Sequence, residues 1–442
     1  MTLTELSDLM RNAGAAGAGG AGFPSYAKLN PAADTVILNC AECEPLLKLH
    51  RQVLEKHADE ILSALSLIAD TLGAERAVVA VKPAYEKAIA AVEACMSAYP
   101  KVSVGLLPEV YPAGDEVVTI YETTGRVVKP GALPISVGCI VYNVETVYNV
   151  SRALREKAPV TDKYVTVAGE VAHPATFLVP LGMTYGELIA LAGGATVSDY
   201  RIVGGGPMTG PIAHDSDVVT KTSNAVLVLP ADHTVVQKKT TRIKIDMTRA
   251  MAACCQCRMC TDLCSRHLLG HPIEPHLFMR SAAFGITADP KPFINTMYCS
   301  QCGLCEMYAC GQSLNPRTLI GVCKNGLRAN GVKAESEPVL GDVDPNRSGR
   351  MVPIGRLVSR LGLTAYDVPA PLTEDALHPV SVKILLGQSI GAPASACVKP
   401  GDAVRRGDVI GRAAEGALSL PVHASVDGTV TEVTDKYVVI RT

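Results

Sequence analysis

An α/β multidomain fold is what this sequence predicts, on three observations. Short apolar runs alternate with helical runs through the first 150 residues, nine of the fifteen cysteines fall in two runs between 254 and 310, and from about residue 378 short strands follow one another between Gly-Asp turns. A chain of 442 residues also has room for several cores, at ~100–200 residues per domain.

Leu3, Leu6, Leu9 and Met10 stand at helical spacing, and the chain then opens into 14-GAAGAGGAGFPSYAKL-29. So many glycines forfeit helix and strand stability but let the backbone approach a ligand closely. Their N–H groups, pointed into a concavity, suit a phosphate; a flexible linker has the same composition.

Next, 35-TVILNC-40 reads as a buried strand ending in 39-NCAECEPLLKLH-50, which sets Asn39, Glu42 and Glu44 just past a strand end. Ligands of α/β sheets bind there. The runs 76-RAVVAVKP-83 and 102-VSVGLLP-108 read as strands and 84-AYEKAIAAVEACMSAY-99 as the helix between them, which is βαβ patterning. The stretches 111-YPAGDEVV-118 and 139-CIVYNVETVYNV-150 again place polar residues beside apolar runs. Cys40 and Cys43 form a CxxC, but it does not open a helix as a thioredoxin dithiol does.

Residues 163 to 230 read as strands around the helix 185-YGELIALAGG-194, and 204-GGGPMTG-210 as a hairpin turn, because no helix follows it as a phosphate loop requires. The polar segment 330-NGVKAESEPVLGDVDPNRSG-349 reads as a linker before a short helix over 353–363.

The cysteine runs carry the sharpest chemistry. Cys254, Cys257, Cys260 and Cys264 follow CxxCxxCxxxC, and Cys299, Cys302, Cys305 and Cys310 follow CxxCxxCxxxxC. Three thiolates at this spacing converge on three irons of a cubane, with the fourth ligand from elsewhere. Exchange of fourth ligands, as in two-cluster ferredoxins, sets Cys254, Cys257 and Cys260 with Cys310, and Cys299, Cys302 and Cys305 with Cys264. Zinc is the rival, although zinc sites pair two CxxC units across a spacer. Cys95, Cys139, Cys323 and Cys397 are expected as small buried residues, Cys255 as an idle thiol, and His267, His271 and His276 as structural.

A formal net charge of −2 without a concentrated basic stretch argues against nucleic acid as a partner. No apolar run reaches membrane-spanning length and the start, MTLTELSDLMRNAG, has no secretory pattern, so a cytoplasmic protein without a membrane span is expected. In that compartment cysteines serve metals or redox chemistry rather than disulfides.

Taken in order, GGAGFPSYAKL, NCAECEP, YPAGDE, TGRVVKPGALP, YNVETV and the two cysteine runs resemble the RnfC family of flavin and iron–sulfur electron-transfer proteins, itself related to the FMN-carrying subunit of respiratory complex I. The resemblance implies a Rossmann-like FMN and NADH domain over 1–155. In it Gly17, Gly19, Gly20 and Lys28 would meet the flavin phosphate and ribityl chain, Asn39, Glu42, Cys43, Gly114 and Asp115 would lie by the flavin, and Asn143 and Thr146 would close the site. Phe23, Glu44 and Glu116 would border the nicotinamide. Ala41 and Asp115 depart from the complex I pattern of Asp and Glu. Residues 160–235 resemble the β-grasp SLBB domain, 245–330 a small helical ferredoxin-like domain with two [4Fe–4S] clusters, and 375–442 the barrel-sandwich hybrid of biotinyl carriers, with 331–370 as linker and short helix. The tip 414-AEGALSL-420 lacks a carrier lysine, so this last domain reads as structural.

The C-terminal placement of the barrel sandwich resembles the branch of the family that forms the cobalamin reductases of propanediol-utilisation bacterial microcompartments. That implies an oxidoreductase in which electrons pass from NADH through FMN and two clusters to cobalamin, with an adenosyltransferase and a microcompartment shell protein as partners inside the microcompartment. No DxHxxG run is present to supply a cobalt-binding histidine. The alternatives are an RnfC-type subunit of a membrane-associated ferredoxin:NAD oxidoreductase and a non-catalytic electron wire.

Overall fold

A computed structural model describes residues 1–240, 242–334 and 338–442; residues 335–337 of the expected linker lie outside the described residues. Helix α1 (Leu3–Asn12) begins in a capping box in which Thr2 and Glu5 satisfy each other's backbone N–H groups, and it buries Leu6 and Met10. The first sheet consists of β1 (Thr35–Cys40), β2 (Arg76–Val81), β3 (Val102–Leu106) and β5 (Cys139–Asn143), all parallel in the order β3-β2-β1-β5; the two-residue β4 (Val110–Tyr111) lies outside it. Successive side chains of β1 enter different cores. Val36 and Leu38 join the core under α2 (Leu49–Lys56), α3 (Ala58–Leu72), α4 (Glu86–Met96) and α6 (Val144–Glu156), while Ile37 joins the one under α5 (Glu116–Thr124). Both faces are therefore covered, as a parallel sheet requires.

The second sheet has the order β12-β7-β6-β10-β8-β9, built from β6 (Asp162–Gly169), β7 (Ala175–Pro180), β8 (Tyr200–Gly204), β9 (Ile212–Ala213), β10 (Ala225–Pro230) and β12 (Leu372–Thr373). Its helix, Tyr185–Leu191, starts in a second capping box, Thr184 with Glu187. The turn 204–210 joins antiparallel β8 and β9, as a hairpin should. A small core of Phe278, Met279, Leu319 and Ile320 holds the helices Ile243–Ala253, Pro275–Phe284 and Pro316–Ala329 around the cysteine runs. The C-terminal domain contains a four-stranded sheet and a three-stranded one.

The segment expected as a linker is anchored at several points. Gly341 and Asp344 donate backbone hydrogen bonds to Gly270 and Leu268, and β11 (Val352–Pro353) pairs antiparallel with β4. Short polar stretches satisfy their backbone groups wherever edges are offered, and here both neighbours offer them. Glu374 then ties three regions together: its carboxylate receives Lys56 at 2.5 Å, Tyr164 at 2.6 Å and His57 at 2.9 Å. Cys139 is buried and Cys95 and Cys323 are half-buried, but Cys397 is exposed; it directly follows the two-residue strand Ser395–Ala396, whose own residues are exposed and half-buried.

Candidate functional site

At the carboxyl ends of the parallel strands lies a cavity of about 650 Å³, walled by three regions. Gly19, Gly20, Cys43, Glu44, Gly114 and Asp115 come from the first domain, the turn 204–211 with Thr220, Thr222, Ser223 and Asn224 from the second, and Ser300 and Cys302 from the second cysteine run. Its charged side chains among the described residues are both carboxylates, so a bound phosphate would depend on backbone N–H groups.

The glycine loop is fastened from below. Thr146, buried, receives the Ala18 N–H at 2.9 Å, and Gly17 donates to Phe23 O at 2.9 Å. A Cβ on Gly19 would stand 2.2 Å from Asn143 Nδ2, whereas one on Gly20 would meet nothing within 4 Å. Gly19→Ala is therefore expected to displace Asn143 and lower the bound flavin about tenfold, and Gly20→Ala to keep more of it, measured as flavin released on denaturation, because a clash of this kind costs ~1–3 kcal/mol.

Asn39 is fixed by donating to Gly114 O at 3.0 Å and accepting from Ala41 N at 3.0 Å. Asn143 caps α6 through Glu145 N and donates to His50 Nε2 at 3.3 Å. Cys43 faces the cavity, and burial pushes its thiol up to about 11. Glu42 does not line it. Its carboxylate accepts from His50 N at 2.8 Å and Arg51 Nε at 3.1 Å. Burial pushes that carboxyl up, but Arg51 and His50 outweigh the effect and hold it below its ordinary range.

Glu44 is captured from across the domain boundary. Its oxygens accept from Met208 N and Thr209 N, each at 2.9 Å, and from Thr209 Oγ1 at 2.5 Å. The glycine-rich turn thus receives an anion after all, and the anion is a side chain of this chain. Behind it Lys239 donates to Gly210 O at 2.6 Å, and burial lowers its ammonium to about 8 against the pull of Glu44. Lys28 and Glu116 lie elsewhere, paired at 2.8 Å, and with Phe23 they line a smaller cavity of about 280 Å³ beside β5. Of the residues expected around the nicotinamide, Phe23 and Glu116 come together and Glu44 does not join them.

The larger cavity fits a polar aromatic ring system. It offers close backbone at Gly19 and Gly20, a hydroxyl wall at Thr220, Thr222 and Ser223, and the buried Oδ1 of Asn224, which has no hydrogen-bond partner.

Cys254, Cys257, Cys260 and Cys310 line a separate pocket of about 360 Å³. Burial, then repulsion from Cys310, Cys254 and Cys257, pushes the Cys260 thiol up to about 12. Burial, then Cys264 and Cys299, does the same to Cys302. Each group gathers sulfurs from both runs, and a cationic iron core would relieve the repulsion. Among the described residues no three His, Cys, Asp or Glu side chains converge as a single metal ion requires. Cys255 is exposed, His271 Nε2 donates to Val128 O at 2.9 Å, and His276 meets Thr261 Oγ1 at 2.8 Å.

Sequence reasoning missed two groupings. Tyr111 donates to Cys302 O at 2.5 Å, joining the cavity wall to the second run. Arg266 meets Asp115 at 2.8 Å. The only signal for either was position, Tyr111 beginning YPAGDE and Arg266 lying two residues past Cys264.

Family models match the chain in the same order: the Nuo51 FMN-binding domain over 10–152, the SLBB domain over 164–212, a 4Fe-4S dicluster domain over 253–315 and the RnfC barrel sandwich hybrid domain over 371–442. The fold is thus a mixed α/β assembly with an FMN-binding and a two-cluster domain. One component of the proton-translocating ferredoxin:NAD(+) oxidoreductase complex of Clostridium ljungdahlii is 32% identical over 61% of this chain and 57% of its own. An NAD+-reducing [NiFe]-hydrogenase, in its H2-reduced crystal structure, contains a polypeptide that covers 76% of this chain and 64% of its own length with a TM-score of 0.49 at 19% identity. The cobalamin reductase PduS of Citrobacter freundii is 41% identical over 98% of this chain and 96% of its own, and that of Salmonella typhimurium 40% identical over 100% and 97%. With this identity along the whole length, the chain belongs to the family of the cobalamin reductase PduS, an oxidoreductase family.

Proposed function

We propose that the chain reduces cobalamin with electrons from NADH, taken up at the FMN-binding domain and handed on singly through the cysteine runs. The shared lining supports this reading most directly, because Ser300 and Cys302 face the same cavity as Gly19, Cys43, Glu44 and Gly114. FMN, when bound, would supply the exchange between hydride and single-electron chemistry, and the two [4Fe–4S] clusters the one-electron relay.

The chain's own residues position and enclose. Gly19 and Gly20 present backbone, Thr146 and Asn143 brace the loop that Gly17 closes, and Cys43, Gly114 and Asp115 form the floor, with Asn39 donating to Gly114 O behind it. Glu44, held by the turn at 208–209, keeps the second domain closed over that floor. Phe23, Lys28 and Glu116 stand at the smaller cavity, where they would receive part of the nucleotide. Cys299, Cys302, Cys305 and Cys264 would hold the cluster beside the flavin. Cys254, Cys257, Cys260 and Cys310 would hold the outer one, and there Cys257 is exposed. Cobalamin carried by an adenosyltransferase would be reduced at that outer face, and the setting would be a microcompartment with a shell protein as neighbour. Among the described residues no helix is long and apolar enough to cross a membrane.

The test is anaerobic protein reconstituted with iron, sulfide and FMN, mixed with NADH and either cob(II)alamin or a ferredoxin. Formation of cob(I)alamin, followed by its absorbance, is the expected result. Reduction of the ferredoxin with no reduction of cobalamin would overturn the reading.

A further inference from the structure

Arg266 stands where the flavin cavity meets the second cysteine group. Its guanidinium reaches Asp115 at 2.8 Å, and both side chains are largely buried, at 18% and 8% exposure. Asp115 itself faces the cavity and is held by its own helix, accepting from Val117 N at 3.0 Å. On the other side, the backbone N–H groups of Arg266 and His267 donate to the Cys264 sulfur. The Arg266 charge acts on both Cys264 and Cys302, and after burial it is the main influence holding the His271 imidazole neutral, down to about 4. A buried cation thus acts electrostatically on two sulfurs of one group, countered by the Asp115 carboxylate that lines the cavity.

We propose that Arg266 is the residue that raises the reduction potential of the cluster held by Cys299, Cys302, Cys305 and Cys264, and that Asp115 is its positioning residue and partial counter-charge. Reducing an iron–sulfur cluster adds negative charge, which a nearby cation in a poorly screened site stabilises. N–H···S bonds act in the same direction. Gln301 supplies two to Cys299, from its backbone and its side chain, both at 3.3 Å. Lys324 is another cation near this group, 2.6 Å from Cys299 O, but it does not line the cavity. Near the other group Arg258 is half exposed and paired with Asp262, while Lys238 lies by Leu314 and Asn315. The arrangement favours settling an electron on the cluster next to the flavin, with Asp115 setting how much of the Arg266 charge is felt.

This inference rests on the reading that the second cysteine group binds a cluster, and the experiment separates the two. In reconstituted full-length protein, an EPR-monitored redox titration gives two midpoints, and the signal lost in Cys302→Ala identifies the cluster beside the flavin. Arg266→Gln is expected to move that midpoint down and leave the other in place, and Arg266→Lys to restore most of the shift. Asp115→Asn keeps the cap on Val117 but removes the counter-charge, so it is expected to move the same midpoint up. Opposite signs at the two ends of one ion pair would not arise from loosened packing. An unmoved midpoint in Arg266→Gln, equal movement of both midpoints, or a downward shift in Asp115→Asn would overturn the inference. A single cluster signal in the unaltered protein, untouched by Cys302→Ala, would overturn the two-cluster reading itself.

Discussion

Cys260→Ala is expected to remove about half of the iron and acid-labile sulfide while leaving the flavin in place, because each cubane depends on four thiolates and loses its anchorage when a core ligand goes. Cys310→Ala should abolish the same EPR signal as Cys260→Ala, although the two residues belong to different runs. Their sulfurs line one pocket and repel one another there. Cys264→Ala should instead abolish the signal lost in Cys302→Ala, since those two sulfurs act on each other in the second group. Iron and sulfide analysis with EPR of the dithionite-reduced protein decides between them. Loss of one common signal in Cys260→Ala and Cys264→Ala would mean that each run serves its own cluster.

The second large effect concerns stability. Lys163 and Glu145 form an ion pair beneath the glycine loop with both side chains 1% exposed, and Glu145 also accepts the Tyr164 N–H at 3.0 Å. Burial pushes the carboxyl up and the ammonium down, and each charge opposes the shift of the other. Lys163→Met leaves Glu145 buried without its cation, which costs ~3–5 kcal/mol. The apparent melting temperature should fall by several degrees. Adding Glu145→Gln, which keeps an acceptor for Tyr164, should recover a large part of the loss. A double variant no more stable than Lys163→Met would show that the pair contributes through something other than charge.

This pair also shows where sequence reading stops. The parallel strands were legible because Val36 to Leu38 and Val78 to Val81 are continuous apolar runs, which only a sheet covered on both faces accommodates. The cysteine groups were legible because their spacing is itself a geometric constraint. Lys163 and Glu145 gave no such signal: Lys163 opens a run read as a strand, Glu145 lies among the polar residues of 139–150, and nothing in the chain couples two positions 18 residues apart. Glu44 is similar. Its motif marked it for a ligand, but the three donors it meets lie 164 and 165 residues away in a turn whose sequence promised only a hairpin. Glu42, just before it in the chain, was expected beside the flavin. It turns instead to Arg51, nine residues on, which a helix start at Leu49 makes possible. The stretch 338–349 read as a linker because its polar composition gives no sign of the backbone acceptors, Gly270 O and Leu268 O, that Gly341 and Asp344 find in the fold.

The central claim is that one cavity serves both the flavin and the second cysteine group. Anaerobic, fully reconstituted protein should be mixed with NADH and frozen within seconds for EPR, beside a sample reduced with dithionite. Cluster signals should appear with NADH alone as the flavin absorbance bleaches, and Cys302→Ala should keep the bleaching but lose electron arrival at the remaining cluster. Bleached flavin with both clusters still oxidised, in protein whose clusters dithionite reduces, would contradict the account.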